Sequence, residues 1–313
     1  MKRLIAIILA AALGWSGLWA YEAYSLRGAV ADWLDARRAE GWEASARIKV
    51  RGFPSRLDLT LSDLALTDPE GRSLSAPILQ SLGLTYKPGH HILALPRGAV
   101  LTDGADRLEI SGDGIRASLT ETADGQWLRL IAEAETLTLS GREDISFARP
   151  IFDLRLTEGL TYRTTLTAQA LAATASPLRP DQARAVEILS DITFDTDWRL
   201  DNLTDQRPQP TRIDLDHASY TVDEIDISLA GLLDISASGT PSGALTLRAE
   251  NWQAALDRAG LPDSLTDMLS STLGMAASLS GRADTLDLPL TFRDGKTLLG
   301  PLPLGPAPTI KLP

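Results

Sequence analysis

The chain has no cysteine among its 313 residues. That excludes disulfides, thiolate nucleophiles and thiolate metal sites together, and it leaves the redox compartment open. Histidine is nearly as scarce, at three residues. Aromatic residues make up 5% of the chain, so leucine and alanine carry most of the apolar load. A basic balance is also missing. Against 30 Lys and Arg stand 41 Asp and Glu, for a net charge of −11. A nucleic-acid partner needs a basic face that neutralises phosphates, so none is expected. The same balance argues against general adhesion to anionic lipid heads. Arginine far outnumbers lysine, which reads as genome composition. No G-x-S-x-G, H-E-x-x-H, P-loop or dinucleotide fingerprint is present.

What is there begins with Met1-Lys2-Arg3 and the uncharged run from Leu4 to Tyr21, closed by Glu22. Spanning a bilayer takes roughly 17–25 apolar residues as a helix. A signal peptide has an apolar core of about 7–15 residues and a small-x-small cleavage site. Cleavage after Ala20 or Ala23 would place Leu18 or Tyr21 where a small residue is wanted. Cutting at Gly14-Trp15-Ser16 would leave a short signal. An uncleaved anchor over residues 1–24 is therefore expected, with a cleaved signal as the competing reading. Trp15, Trp19, Tyr21 and Tyr24 sit where an interfacial aromatic belt belongs, and Lys2 and Arg3 keep the N-terminus cytoplasmic. The bulk of the chain is then exported.

Ser25 to Gly41 reads as a helix continuing from the anchor. Leu26, Val30, Trp33 and Leu34 share one face, and Gly41 ends it. From Ala44 onward the pattern is strand after strand. In Ile48 to Asp68, Leu57, Leu59 and Leu61 alternate with Asp58, Thr60 and Ser62. The alternation resumes out of step at Leu64 and Leu66, which predicts a bulge near Ser62-Asp63. A period of two places the leucines on one face of a strand and the polar residues on the other. Turn signals recur at Pro69-Glu70-Gly71, Lys87-Pro88-Gly89, Gly112-Asp113-Gly114 and Asp124-Gly125, as in antiparallel meanders. A first β-rich segment is expected over 25–145. A second, over 146–313, is continuous with it as one elongated domain.

In the second segment a helix is expected at Pro180 to Leu189, then a strand at Ile192 to Leu200 and a loop at Asn202 to Pro210. Strands resume at Ile213 to Leu215, Ala218 to Val222, Ile225 to Leu229, Leu232 to Ser238 and Ala244 to Ala249. Two short helices are expected at Trp252 to Ala259 and Ser264 to Leu273. Strand Leu286 to Phe292 then turns at Asp294-Gly295 into Lys296 to Leu299. LSGR occurs at Leu139 to Arg142 and again at Leu279 to Arg282, and no strict repeat joins the two copies.

Chemistry-bearing clusters are few. His90 and His91 follow Pro88-Gly89 in what reads as a surface turn. A pair of metal ligands is the sharper reading. His217 lies beside Asp214, Asp216, Asp223, Glu224 and Asp226. That cluster could bind Ca²⁺, but the solvent face of a strand pair in so acidic a chain looks the same. Asp195-Thr196-Asp197 fails the calcium-loop pattern at Arg199 and Leu200. No catalytic, cofactor-binding or metal residue is assigned, and no cofactor is expected.

Two motifs carry a resemblance. The anchor and short helix run into Val50-Arg51-Gly52-Phe53-Pro54-Ser55-Arg56 ahead of the first alternating strand, and the C-terminal part carries FRDGKTLLGPLPLGPAP. With these the chain resembles the bacterial domain-of-unknown-function family DUF2125 and, more distantly, AsmA-like envelope proteins. The resemblance implies an inner-membrane-anchored, periplasmic, β-rich protein. The AsmA-like relatives imply curved sheets with an apolar interior and links to lipid traffic. The resemblance supplies no catalytic residues, and the chain is much shorter than the long bridge-like relatives.

The expectation is therefore a mainly β protein of curved, mostly antiparallel sheets with a few short helices and an N-terminal transmembrane helix. Its function is non-enzymatic, in the cell envelope, with binding or handling of lipid in an apolar groove. The alternatives are a scaffolding module without a ligand and an enzyme with a dispersed acidic site. The partners expected are the inner membrane, through the N-terminal helix, and lipid or another envelope protein.

Overall fold

The computed structural model describes residues 1–142, 144–173, 183–199, 207–222, 224–258, 284–300 and 302–312, and residues 266, 267, 270, 271, 273, 274 and 277. The chain divides into two compact units. Unit 1 holds Met1–Asp124 and Ala132–Arg142, and unit 2 holds Gly125–Ile131 and Glu143–Pro313. Both are mainly β, and their strands pair antiparallel.

Unit 1 opens on helix α1, Lys2–Ala39, a single run of 38 residues that joins the apolar segment to the amphipathic one. Met1 to Trp15 are exposed. From Ser16 on, Trp19, Ala23, Leu26 and Val30 are partly covered, and Leu34 is buried. Trp33 departs from the expected inner face. It is 41% exposed, with the Arg37 guanidinium 5.9 Å from its ring. The helix ends where the sequence predicts. Gly41 takes φ +90, its N–H donates to Arg38 O at 3.1 Å, and Trp42 N–H donates to Arg37 O at 3.0 Å. These two bonds satisfy carbonyls that a helix end otherwise orphans, and the left-handed turn they need favours glycine. Arg37 and Arg38 in the last turn suit the negative end of the helix dipole.

The strands of unit 1 are β1 (Glu43–Arg51), β2 (Arg56–Thr67), β3 (Ser73–Leu84), β4 (Lys87–Ala94), β5 (Ala99–Asp103), β6 (Asp106–Asp113) and β7 (Arg116–Glu121). β8 (Trp127–Glu133) begins in unit 2, and β9 (Thr136–Ser140) returns to unit 1. β1, β2 and β3 are neighbours. The upper half of β3 pairs with β4, and its lower end, Ser73 to Ser75, pairs with β5. β4 then pairs with β7, β5 with β6 and β6 with β9. The expected bulge is present. Ser45 faces Ala65 but Arg47 faces Ser62, which leaves an extra residue on β2, and Asp63 takes φ 51. One expected turn moves. Lys87-Pro88-Gly89 lies inside β4, and the chain reverses at Thr85-Tyr86 instead. The ladder to β3 already engages Lys87 opposite Leu84, so pairing overrides the turn chemistry.

Unit 2 holds β10 (Asp144–Ala148), β11 (Ile151–Glu158), β12 (Thr161–Ala168), β13 (Ala170–Ala173), β14 (Ala183–Phe194), β15 (Pro210–Val222), β16 (Ile225–Ile235) and β17 (Pro241–Glu250). Helix α2 (Trp252–Arg258) follows, then β18 (Thr285–Arg293), β19 (Lys296–Leu299) and β20 (Leu302–Pro306). Consecutive neighbours run β8, β11, β12, β14, β15, β16, β17, β18, β19, β20, with β10 paired to β13.

The helix expected at Pro180 to Leu189 is corrected. Ala183 onward is β14, and Pro180-Asp181 lies outside the described residues. Val186, Ile188 and Ile192 are β-branched, and this strand is paired on both sides, to β12 and β15, so tertiary pairing prevails over a local start signal. The following strand stops at Phe194 rather than Leu200. Trp198 leaves the ladder to stack on Trp127, with centroids 5.4 Å apart, and to meet Phe194 edge-on at 5.2 Å. The hairpin at Asp294-Gly295 is present, with both residues at positive φ. α2 fits the expected helix there, and the described residues of the next one, from 266 to 273, are helical. Asn202 to Gln206 and the second LSGR copy lie outside the described residues.

Unit 2 closes its apolar face with its own side chains. Trp252, Leu273 and Ala277 pack on Ala249, Leu286 and Leu299. At another place on the sheet, Ala307 and Ile310 of the C-terminal tail cover Leu233, Ile235, Leu245 and Phe292. Tyr162 is fully buried, and its hydroxyl donates to Trp127 O at 3.2 Å.

Candidate functional site

The register of unit 1 brings its apolar residues into rows. Val50, Leu59, Ser81, Leu93 and Ala117 lie opposite one another across β1, β2, β3, β4 and β7. Ile48, Leu61 and Leu79 form the next row, and Leu57, Gly83, His91 and Leu119 the row on the other side. Residues directly opposite in a ladder share a face. Leu119 is buried, and Leu61 and Leu79 pack on the buried cluster of Leu64, Ala76 and Ala99, but Ile48, Val50, Leu57, Leu59, Leu93 and Ala117 are only half-buried. The opposite face carries Asp58, Thr60, Ser62, Gln80 and Ser118 together with Ile78, Leu82 and Ile92. β2 is therefore two-faced as its alternation predicts, whereas β3 and β4 carry aliphatic residues on both faces, and no aromatic residue stands in the aliphatic rows.

At one end of this sheet lies the turn between β1 and β2. Gly52 takes φ +110, and a Cβ there would come within 2.7 Å of Arg56 Cβ, so the tight reversal requires glycine. The Phe53-Pro54 peptide is cis. The anchor helix reaches this turn. Trp15 Nε1 donates to Pro54 O and Trp19 Nε1 to Arg56 O, both at 2.7 Å, and the Trp19 ring meets Phe53 edge-on at 5.5 Å. The β3–β4 reversal lies alongside, where Thr85 donates from its N–H (3.1 Å) and its hydroxyl (3.2 Å) to Ser55 O. Phe53 and Tyr86 are 56% and 67% exposed.

The ionisable candidates do not converge. His90 and His91 sit in β4 and point to opposite faces. His90 Nε2 lies 3.1 Å from Ser118 Oγ, and His91 Nε2 lies 3.7 Å from Glu121 Oε1. His217, Asp214 and Asp216 are exposed on β15, Glu224 is exposed beyond it, and Asp223 lies outside the described residues. Asp216 is 3.2 Å from the Arg163 guanidinium, which also holds Asp191 at 2.5 Å. Asp226 accepts a bond from Thr221 at 3.0 Å. Asp195 accepts from Gln209 N–H, and Asp197 from Arg199 Nε. Among the described residues no group of three His, Asp or Glu side chains is placed to hold a metal ion. The perturbed carboxyls are held low by neighbouring cations. The Arg163 guanidinium lowers Asp191. At Asp68 burial pushes upward, but bonds from the Arg72 backbone and guanidinium outweigh it.

A family model described as an uncharacterized protein conserved in bacteria, DUF2125, matches residues 19–308. The chain belongs to that family. The DUF2125 region starts inside α1 at Trp19, and so includes one of the two indoles that hold the Gly52–Arg56 turn, together with the turn itself. No curated protein and no solved structure matches the chain. α1 is long and apolar enough to cross a membrane, and no residue of the apolar stretch that qualifies it is buried. The sequence singled out the aromatic belt and the Val50–Arg56 motif separately. It did not reveal that they touch, because the contacts join residues 37 and 39 positions apart.

Proposed function

We propose that this DUF2125 protein is a non-enzymatic component of the cell envelope, held in the bacterial inner membrane by α1, with the bulk of the chain on the periplasmic side. The half-buried face of unit 1 takes the acyl chain of a lipid. The observation that carries this reading is that face: Ile48, Val50, Leu57, Leu59, Leu61, Leu79 and Leu93 in neighbouring rows of β1 to β4, interrupted by Ser81, Gly83 and His91, half-buried and without an aromatic residue among them. An amphipathic sheet buries its apolar side against something, and apolar, concave surfaces are the usual hosts of small molecules. Each methylene placed there contributes about 0.8 kcal/mol, so an acyl chain needs no polar contact to be retained. Lys2 and Arg3 ahead of the apolar run favour a cytoplasmic N-terminus. The resemblance to AsmA-like envelope proteins points the same way.

The test is native mass spectrometry of the full chain extracted in detergent. We expect lipid adducts that survive delipidation in the wild type and in Thr60→Asp, and that are lost in Leu59→Asp and Leu93→Asp. Adducts equal in all four proteins would assign the lipid to the anchor and remove the groove. A scaffolding role has one observation in its favour, the self-closed face of unit 2. An enzymatic site at Asp214 and Asp216 has less support, since the Arg163 guanidinium already engages Asp216.

A further inference from the structure

The length of α1 and the place where the sheet meets it do not fit a bilayer that ends outside unit 1. Met1 to Gly14 stand free, and the first hydrogen bonds to the sheet are made by Trp15 and Trp19. The apolar stretch from Leu4 to Trp15 is about 18 Å long at 1.5 Å per residue. A hydrocarbon core is about 30 Å thick. The shortfall is about 12 Å, or about eight residues, which carries the span to the neighbourhood of Glu22 and Ala23. Glu22 is also the first acidic residue after the uncharged run. Trp15 and Trp19 then lie about 10 Å and 5 Å to the lipid side of Glu22. The turn bonded to them lies at the same level.

We propose that the Gly52–Arg56 turn is a second membrane-seated element, with Phe53 placed in the boundary between headgroups and acyl chains of the bilayer that α1 crosses. The inference rests on the reading of α1 as a span. Its chemistry agrees with that depth. Backbone polar groups away from water must be satisfied within the protein. Pro54 has no N–H to satisfy. Its carbonyl and that of Arg56 accept the two indole N–H groups, Gly52 O accepts Arg56 N–H at 2.9 Å, and Ser55 O accepts both donors of Thr85. Phe53 touches Trp19 by one edge and otherwise stands open. Tyr86, exposed beside it, has the apolar body and polar tip of an interfacial residue. Arg51 and Arg56 are exposed on either side of the turn; Arg56 Nε lies 3.0 Å from Asp58 Oδ1, and the stem of Arg51 is long enough to lift its charge toward the phosphates.

The absence of cysteine makes the test direct. Single variants Ile8→Cys, Phe53→Cys and Ala105→Cys are made in the full chain and labelled with a nitroxide. Ala105 lies in the β5–β6 reversal, at the far end of β3 from the turn. The proteins are reconstituted in vesicles of phosphatidylcholine and phosphatidylglycerol. Collisions with oxygen, which concentrates in lipid, are compared with collisions with a water-soluble nickel chelate. We expect the oxygen-to-nickel ratio at Phe53 to be several-fold above that at Ala105 and below that at Ile8. Ser55→Cys should repeat the Phe53 value if the ring is needed for folding. A lipid-like Ile8 with Phe53 and Ser55 as wet as Ala105 would leave the anchor standing and overturn the seated turn. A wet Ile8 would overturn the spanning reading, and the proposal with it.

Discussion

In unit 1 no aromatic ring is buried: Trp19 and Trp42 are half-covered and the rest lie outside. Trp15, Tyr21, Tyr24, Trp33, Phe53 and Tyr86 are all exposed, on α1 or at the tips of two hairpins. In unit 2 they lie inside. Trp127, Tyr162, Phe194, Trp252 and Phe292 are buried, and among the described residues none of its aromatics is exposed. The buried apolar side chains of unit 1 are correspondingly small in bulk: Leu34, Leu64 and Leu119 with Ala44, Ala76 and Ala99. One sequence thus builds two β-rich units and spends its few rings differently. In unit 2 they fill the space over the sheet. In unit 1 they mark a surface and leave the sheet face aliphatic and half-covered. A sheet can have the same alternation and yet differ in whether its apolar side is finished by the protein or left for another apolar phase.

The largest effect that would sharpen this contrast is the removal of a ring from each unit. Phe194→Ala should cost about 3–5 kcal/mol of stability through lost burial and the cavity left beneath Tyr162 and Trp198. Phe53→Ala should change stability by no more than about 0.5 kcal/mol. Urea unfolding in detergent, followed by near-ultraviolet circular dichroism, measures both, and equal losses would erase the distinction. A middle-sized effect concerns the face of unit 1. Leu59→Asp should cost about 1–3 kcal/mol, because the carboxylate replaces a half-buried apolar group, and Thr60→Asp on the opposite face about 0.5 or less. Equal thermal shifts would mean that the face is not apolar in the folded protein.

The smallest effects are electrostatic and occur once in each unit. Asp68 and Asp191 have carboxyls held below their ordinary range. A depressed carboxyl stabilises the fold above its unfolded pKa, about 3.9, and that contribution fades as pH falls through the lower folded value. Asp68→Asn and Asp191→Asn should therefore lower Tm at pH 7, and the gap to wild type should narrow by pH 3. Asp191 should show the smaller gap, since it is about one-third exposed and solvent screens its pair with Arg163. A gap that widens on acidification would reverse the sign of the coupling.

Features that were legible in the sequence were those fixed by neighbouring residues. The alternation of Leu57 to Leu61 gave the faces of β2, and its break gave the bulge at Asp63. Gly41 gave the end of α1, and Asp294-Gly295 the last hairpin. What was not legible depended on partners far along the chain. Residues 183–189 form a strand because β12 and β15 pair with them on both sides. Trp198 leaves the strand pattern because Trp127, far earlier in the chain, offers a ring to stack on. The anchor's bonds to the Phe53-Pro54 turn belong to the same class. Both ends of that contact were visible as motifs, yet periodicity and capping rules carry no information about which motifs meet.

The reversal at Gly41 has a mechanical consequence. A domain tied to a bilayer by a flexible linker swings through a hemisphere and presents every side in turn. Here α1 runs unbroken from Lys2 to Ala39, only Glu40 to Trp42 separate it from β1, and the Trp15 and Trp19 bonds pin the returning hairpin back onto the same helix. With α1 in a bilayer, unit 1 has no joint about which to turn. It would drift and spin in the plane as one piece with its helix, and its aliphatic face would keep a constant height and tilt. Any encounter at that face would then be a search in two dimensions with the orientation already chosen.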